Sequence, residues 1–129
     1  MKKRLILLFL LSSALLRAGD WPRWLGPDGT GVSTESGWKN NLEEQAWKSK
    51  VGVGFSSVSV ADGRVYTMGH DGKKSDGKET VYCLDAKTGK TLWTHSYPAP
   101  LIDYLHEGGP CSTPTVDGST VYALSLIHI

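Results

Sequence analysis

Hydrophobic and polar residues alternate with a period of two along much of the chain after about residue 46. This period is typical of β-strands with one buried face. Pairs of turn-forming residues such as Asp62-Gly63 and Asp117-Gly118 separate the alternating segments. Helical spacing over several turns is absent outside the N-terminal region. The pattern predicts an all-β chain of short hairpins, with strands in AWKSKV from Ala46, SSVSV from Ser56, RVYTM from Arg64, TVYCL from Thr80 and KTLWTH from Lys90.

One hairpin pattern occurs twice. Residues 54–69 align with residues 109–125, so that Ser57 falls on Ser112, and the turn and the Val-Tyr pair that follow it also match. A small four-stranded sheet cannot bury both faces alone, so repeated sheets stack on one another. Radial stacking of such sheets gives a β-propeller of four-stranded antiparallel blades. We predict about two blades, truncated, within residues 46–123.

Two tryptophans have particular places in this scheme. Trp93 ends the alternating stretch VYCLDAKTGKTLW and is predicted to lie on the outermost strand of a blade. There it would be buried against the next blade, because a buried tryptophan removes a large apolar area from water. Trp47 is predicted to lie on a strand that completes the last blade and closes the ring. Serines 56 and 57 are interpreted as ordinary strand residues.

The two ends of the chain are predicted not to belong to the blades. Residues 1–18 combine Lys2, Lys3 and Arg4 with an apolar stretch too short to span a bilayer, which indicates a secretory signal peptide. Residues 19–45, rich in glycine, proline and tryptophan, are predicted to form a strap. The end LSLIHI, residues 124–129, equals the translated end of a sequencing adapter, so we expect an artefact there; an ordinary continuing strand is the alternative.

Charge and cysteine content limit the function further. The whole chain has 14 basic and 13 acidic residues. Without the four basic residues of the signal peptide, ten basic and thirteen acidic residues remain, a net charge of about −3. This balance argues against nucleic-acid binding and against a polybasic membrane contact. Cys83 and Cys111 in an exported chain could form a disulfide, or each could be a small buried residue.

Several motifs imitate active or metal sites without meeting their requirements. Gly89-Lys90-Thr91 lacks the earlier glycine of a phosphate loop, and a strand follows where a helix should begin. Asp85 is therefore expected to cap the turn, with Gly89 at positive φ. Residues 71–79 fit no calcium loop and are interpreted as a solvated connection. His70, His95 and His106 share no metal-ligand spacing. No catalytic, cofactor-binding or metal-binding residue is assigned.

The segments VYCLDAKTGKTLW and PTVDGSTVYALS resemble the repeats of the pyrroloquinoline-quinone (PQQ)-like propeller family. The matching positions include Val81, Tyr82, Leu84, Thr88 and Trp93. The resemblance implies a propeller fold, either in a quinoprotein dehydrogenase that holds PQQ and calcium or in a cofactor-free, BamB-like scaffold. The dehydrogenases carry adjacent cysteines, whereas the two cysteines of this chain are far apart in sequence.

The sequence favours an exported scaffold or binding platform of the periplasm, extracellular space or cell envelope. Partners, either proteins or small molecules, are expected at the propeller loops, with residues 98–110 the main candidate because long loops carry recognition surfaces; a plain connector is the alternative. A PQQ-dependent alcohol or sugar dehydrogenase is the second candidate function, with PQQ and calcium held by a longer protein. The isolated segment 19–123 is expected to aggregate or stay unfolded.

Overall fold

The structure, a computed structural model, describes residues 19–37, 44–104 and 107–125. The predictions for the signal peptide, for His106 and for residues 126–129 lie outside the described residues. The described part contains six strands and no helix, as the all-β prediction requires. They are β1 (Ser59–Ala61), β2 (Arg64–His70), β3 (Lys78–Asp85), β4 (Thr91–Pro98), β5 (Thr115–Asp117) and β6 (Thr120–Tyr122).

The strands form two antiparallel sheets that match the two copies of the repeat. One sheet has the order β1-β2-β3-β4, and the other is the hairpin β5-β6. The turn between β1 and β2 contains Asp62 at φ 51° and Gly63 at φ 71°. Two successive positive φ angles define a type I′ turn, which twists in the sense that the flanking strands need. The order β1-β2-β3-β4 confirms the predicted four-stranded antiparallel blade for the first copy.

The two sheets pack face to face. Cross-strand pairing aligns Tyr66 with Cys83 and Cys83 with Trp93, which places these side chains on one face of the first sheet. Val116 and Val121 of the second hairpin pack against this face, over a core that includes Tyr66 and the fully buried Cys83. Burial of half a valine side chain stabilises by about 1 kcal/mol. Repeat-on-repeat packing is therefore how the chain forms its core.

The N-terminal segment lies along the free side of β1. Trp21 and Val60 exchange two backbone hydrogen bonds of 2.7 and 2.8 Å. The next residue, Pro22, accepts a 2.7 Å hydrogen bond from the backbone N–H of Val116 in β5. The segment thus connects the edge of the first sheet to the second hairpin.

The strand predictions fail where the strands are short. Residues 46–51 belong to no strand in the structure, and Val53 makes only an isolated bridge to His70. Trp47 thus lies in no strand among the described residues, and its side chain bonds to a turn of the first sheet; its place in a last, ring-closing blade stays a prediction. Ser56 and Ser57 precede β1 rather than lie in it, and the Ser57 carbonyl accepts a 3.3 Å bond from the Thr67 hydroxyl.

Trp93 lies on the edge strand β4, as predicted, but it is not buried. Its side chain is 40% exposed, with its ring centroid 6.0 Å from that of Tyr66. The second sheet has only two strands within the described residues, and these cover the inner part of the first sheet. Trp93 therefore has a neighbour on its inner side only, which leaves the outer part of its ring exposed.

The two cysteines are free in the structure. Cys83 is the small buried residue that the second interpretation describes, and burial raises the pKa of its thiol. Cys111 is exposed and lies before β5, outside any strand. The disulfide alternative is therefore wrong for this fold.

Candidate functional site

The turn between β3 and β4 is held together by the side chain of Asp85. The Asp85 carboxylate accepts bonds from the Thr88 hydroxyl at 2.8 Å and from the backbone N–H groups of Thr88 and Lys87 at 2.8 and 3.1 Å. The bond from the Thr88 hydroxyl is the main cause that lowers the pKa of Asp85. Gly89 has φ 68°, and β4 begins two residues later. The predicted cap and positive φ are both confirmed.

This turn also provides the seat for Trp47. The indole Nε1–H of Trp47 donates a 2.9 Å bond to the Ala86 carbonyl, and the Ser49 hydroxyl donates a 2.6 Å bond to the Gly89 carbonyl. A Cβ atom at position 89 would lie 2.4 Å from the Trp47 ring. Only glycine allows this approach, so Gly89 is needed both for its φ angle and for its lack of a side chain.

Two loops lie together at the opposite end of the first sheet. Antiparallel pairing brings residues 71–77, between β2 and β3, next to residues 99–104 that follow β4. Lys74 Nζ and Asp103 Oδ2 are 2.6 Å apart across the two loops, and this lysine lowers the pKa of Asp103. Both side chains are exposed, so the ion pair positions the loops but stabilises them little.

The buried side chain of His70 anchors both loops. Its Nδ1 accepts a 2.9 Å bond from the Gly72 N–H, and its Nε2 lies 2.8 Å from the Ala99 carbonyl, a geometry that assigns the proton to Nε2. His70 is only 1% exposed. With both nitrogens engaged, this histidine is a structural group rather than a metal ligand. Sequence spacing gave no signal for this role, because Ala99 is 29 residues away.

Next to His70, the paired loops form a groove that faces solvent. It has a volume of about 360 Å³ and is lined by Ser75 to Lys78 on one side and by Pro98 to Pro100 on the other. Tyr104, which is 78% exposed, lies farther along the second loop. An exposed aromatic side chain on a well-anchored loop is the kind of group that dominates protein interfaces. This part of the predicted recognition loop is therefore presented to solvent.

A second cavity of about 510 Å³ lies between β4 and the second hairpin. Trp93, His95 and Tyr97 line one side of it, and Thr120 and Val121 line the other. Below it, the Tyr97 hydroxyl donates a 2.8 Å bond to the buried carboxylate of Glu79. Burial, followed by the bond to Glu79, raises the pKa of Tyr97 well above its usual range. This cross-strand pair escaped the sequence analysis because neither residue belongs to a recognisable motif.

A PQQ-calcium site is the cofactor site that the resemblance to quinoproteins raises. Among residues 19–37, 44–104 and 107–125, no three His, Cys, Asp or Glu side chains are grouped so that they could hold a metal ion. Cys83 is buried and Cys111 exposed, so they do not form the adjacent pair that marks the dehydrogenases.

The fold, with Trp47 packed on the β3–β4 turn, defines a class of protein. A four-stranded antiparallel sheet packed against a second copy of its own first hairpin is the arrangement of successive blades in a β-propeller. The chain belongs to the PQQ-like repeat family, since the family model described as "Outer membrane protein assembly factor BamB" matches residues 31–126, about three quarters of the chain. No curated protein and no solved structure matches the chain. In the described parts of the chain, no helix is long and apolar enough to cross a membrane.

Proposed function

We propose that the protein is an exported β-propeller module that binds partner proteins as a scaffold in the periplasm or cell envelope. The observation that carries the proposal is the pair of loops to which His70 is hydrogen-bonded. The second of these loops exposes Tyr104 to solvent. The family description, an outer-membrane assembly factor, supports a role in protein assembly. The apolar N-terminal segment supports export.

A pre-organised loop lowers the entropic cost of binding, because less freedom is lost when the partner docks. His70 fixes the start of one loop at Gly72 and the start of the other at Ala99. The surface beyond these anchors carries both charge signs, including Lys74 and Asp103. Such a mixed polar surface with one exposed tyrosine fits a protein partner better than a nucleic acid or an anionic lipid surface.

Site-specific photo-crosslinking in bacterial cells tests this proposal. A photoreactive phenylalanine analogue replaces Tyr104 in the full chain, and the matched control carries it at Lys87, in the exposed turn at the other end of the first sheet. We expect discrete protein adducts from position 104 in the periplasmic fraction and none from position 87. Equal adducts from both positions, or none from position 104, would contradict the loop surface.

The cofactor question has a separate test. We propose that this chain belongs to the cofactor-free branch and binds neither PQQ nor calcium, which is supported by the wide separation in sequence of Cys83 and Cys111, because the dehydrogenases carry adjacent cysteines. Addition of PQQ with calcium to the purified chain should leave the quinone absorbance spectrum unchanged and should support no reduction of a dye by alcohols or sugars. A bound quinone spectrum with dye reduction would instead establish the dehydrogenase function.

A further inference from the structure

The imidazole of His70 is a buried titratable group whose two nitrogens hold different loops. Its Nδ1 accepts a bond from the Gly72 N–H, and its Nε2 bonds to the Ala99 carbonyl. An N–H group only donates and a carbonyl only accepts, so the first bond needs Nδ1 without a proton and the second needs a proton on Nε2. The two bonds together therefore require the neutral ring in a single tautomer.

Uptake of a proton affects these two bonds in opposite ways. A proton on Nδ1 would face the Gly72 N–H, so that two donors would meet and the bond would be lost. The bond from Nε2–H to the Ala99 carbonyl would remain, and the positive charge on the ring would strengthen it. Gly72 would therefore be released while Ala99 stays held.

Two carboxylates lie beside the ring and favour its charged form. Asp71 Oδ1 is 3.6 Å from His70 Nδ1, so a small movement would bring it to hydrogen-bond distance. The bond from the Lys73 N–H to this oxygen is the main cause that lowers the pKa of Asp71, which keeps the carboxylate charged in mild acid. From β3, the buried Glu79 is the cross-strand neighbour of His70, and its carboxylate accepts the bond from Tyr97 on β4.

The basic side chains of the surrounding elements do not oppose this charge directly. Lys73 Nζ lies 3.9 Å from Asp71 Oδ2, and Lys74 is paired with Asp103. Lys78 is exposed, and alternation along β3 places it on the face opposite to that of its buried neighbour. The other close neighbours of His70 carry no charge: Gly52, Val53, Gly77 and Ala99.

We propose that His70 is a pH-sensitive switch, in which a proton taken up at Nδ1 replaces the bond from the Gly72 N–H by a bond to the Asp71 carboxylate and frees residues 72–74. Lys74 lies in this stretch, so its ion pair with Asp103 of the other loop would lose its fixed position. The closed arrangement excludes the proton and the open one binds it. Opening therefore increases as the pH falls through the range, about 8 to 5, in which imidazoles titrate.

The release of Gly72 is independent of the function proposed above. Its consequence, a less ordered partner surface at lower pH, rests on that proposed function, because the two loops form the surface only when both are held. A surface that loses its order binds more weakly, since the partner must then restore that order.

Hydrogen exchange of the full chain at submicromolar concentration tests the switch, with mass spectrometry that resolves single residues. Each rate is divided by the intrinsic exchange rate at the same pH, so that only the opening of the bond is compared. We expect the protection of the Gly72 N–H to fall at least about tenfold from about pH 7.5 to about pH 5.5. The Ala99 N–H, which donates to the Gly77 carbonyl, should change less than about twofold.

Three variants separate the titration from the bonds. His70→Gln supplies one donor and one acceptor at a spacing similar to that of the ring nitrogens, so Gly72 should stay protected at both pH values. His95→Gln, the same exchange at an exposed histidine of β4, is the control and should keep the pH response. Asp71→Asn keeps an oxygen for the loop N–H groups but removes the charge, and should need a lower pH for the same loss.

Three outcomes would overturn the switch: constant protection of Gly72 in the unmodified chain, an equal pH response in His70→Gln, or an unchanged response in Asp71→Asn. Photo-crosslinking from position 104 at the same two pH values tests the consequence, and we expect fewer adducts at the lower pH. Release of Gly72 with no adducts at either pH would support the switch and contradict the loop surface as a partner site. Release of Gly72 with equal adducts at both would contradict the link between them.

Discussion

At the scale of single residues, a few positions with special backbone geometry determine where strands begin and end. Asp62 and Gly63 set the β1–β2 turn with positive φ angles, and Asp85 and Gly89 set the β3–β4 turn. These roles were predictable, because turn chemistry is local and depends on residue type. The seat of Trp47 on Gly89 was not, since it joins residues about 40 positions apart.

Replacement of Gly89 tests that seat. Gly89→Ala adds a Cβ atom 2.4 Å from the Trp47 ring at a φ of 68°, so both the backbone and the indole must shift. We expect a loss of about 3 kcal/mol in the free energy of unfolding, measured by urea titration with tryptophan fluorescence at submicromolar concentration. Gly63→Ala is the control, because it has φ 71° but no atom within 4 Å, and it should lose about 1 kcal/mol. Equal losses would show that Trp47 does not sit on Gly89.

The Asp85 cap predicts a pH dependence. Since folding lowers the pKa of Asp85, its contribution to stability is fully present above the unfolded value of about 4. It is lost as pH falls through the folded value. The urea midpoint should therefore be higher for the unmodified chain than for Asp85→Asn at neutral pH, and the difference should shrink below about pH 4. A difference that stays constant as the pH falls would contradict the cap.

At the scale of elements, the sequence pattern located the long strands and misplaced the short ones. β2, β3 and β4 each have seven or eight residues and clear alternation, which is enough to define a period of two. The segment from Ala46 alternates as well, but its tertiary bonds go to a turn and not to a neighbouring strand. Alternation shows that a segment has two faces, and it does not show what lies beside it.

The anchor that joins the two loops of the first sheet can be tested by replacing His70. His70→Leu keeps much of the volume but leaves the Gly72 N–H and the Ala99 carbonyl without their side-chain partner. We expect a loss of about 3 kcal/mol in the free energy of unfolding and faster hydrogen exchange at the Gly72 N–H. Met68→Leu, an apolar exchange at a buried site on the same strand, is the control and should cost less than about 1.5 kcal/mol. Equal losses of stability in His70→Leu and Met68→Leu would contradict the role of His70 in joining the two loops.

At the scale of the whole molecule, the protein is stabilised by one repeat packed on another. The internal repeat predicted this packing, because a single small sheet leaves a face exposed. The degree of burial at the contact was not predictable, since the exposure of the Trp93 side chain depends on how many strands of the second sheet cover it. The prediction that the isolated segment 19–123 aggregates or stays unfolded belongs to this scale, because the outer part of the contact is open; a sharp cooperative melt of that segment would contradict it.

The most direct test of repeat-on-repeat packing is the reactivity of the two thiols. Cys83 lies in the contact between the sheets, with Val116 and Val121 packed against its cluster, whereas Cys111 is exposed. Alkylation with iodoacetamide, followed by mass spectrometry, measures the labelling rate of each cysteine in the same sample. The fold predicts that Cys111 is labelled at least about 100 times faster than Cys83, and that Val121→Asp removes most of this difference. Equal labelling of both cysteines in the unmodified chain would contradict the packing of the second repeat on the first.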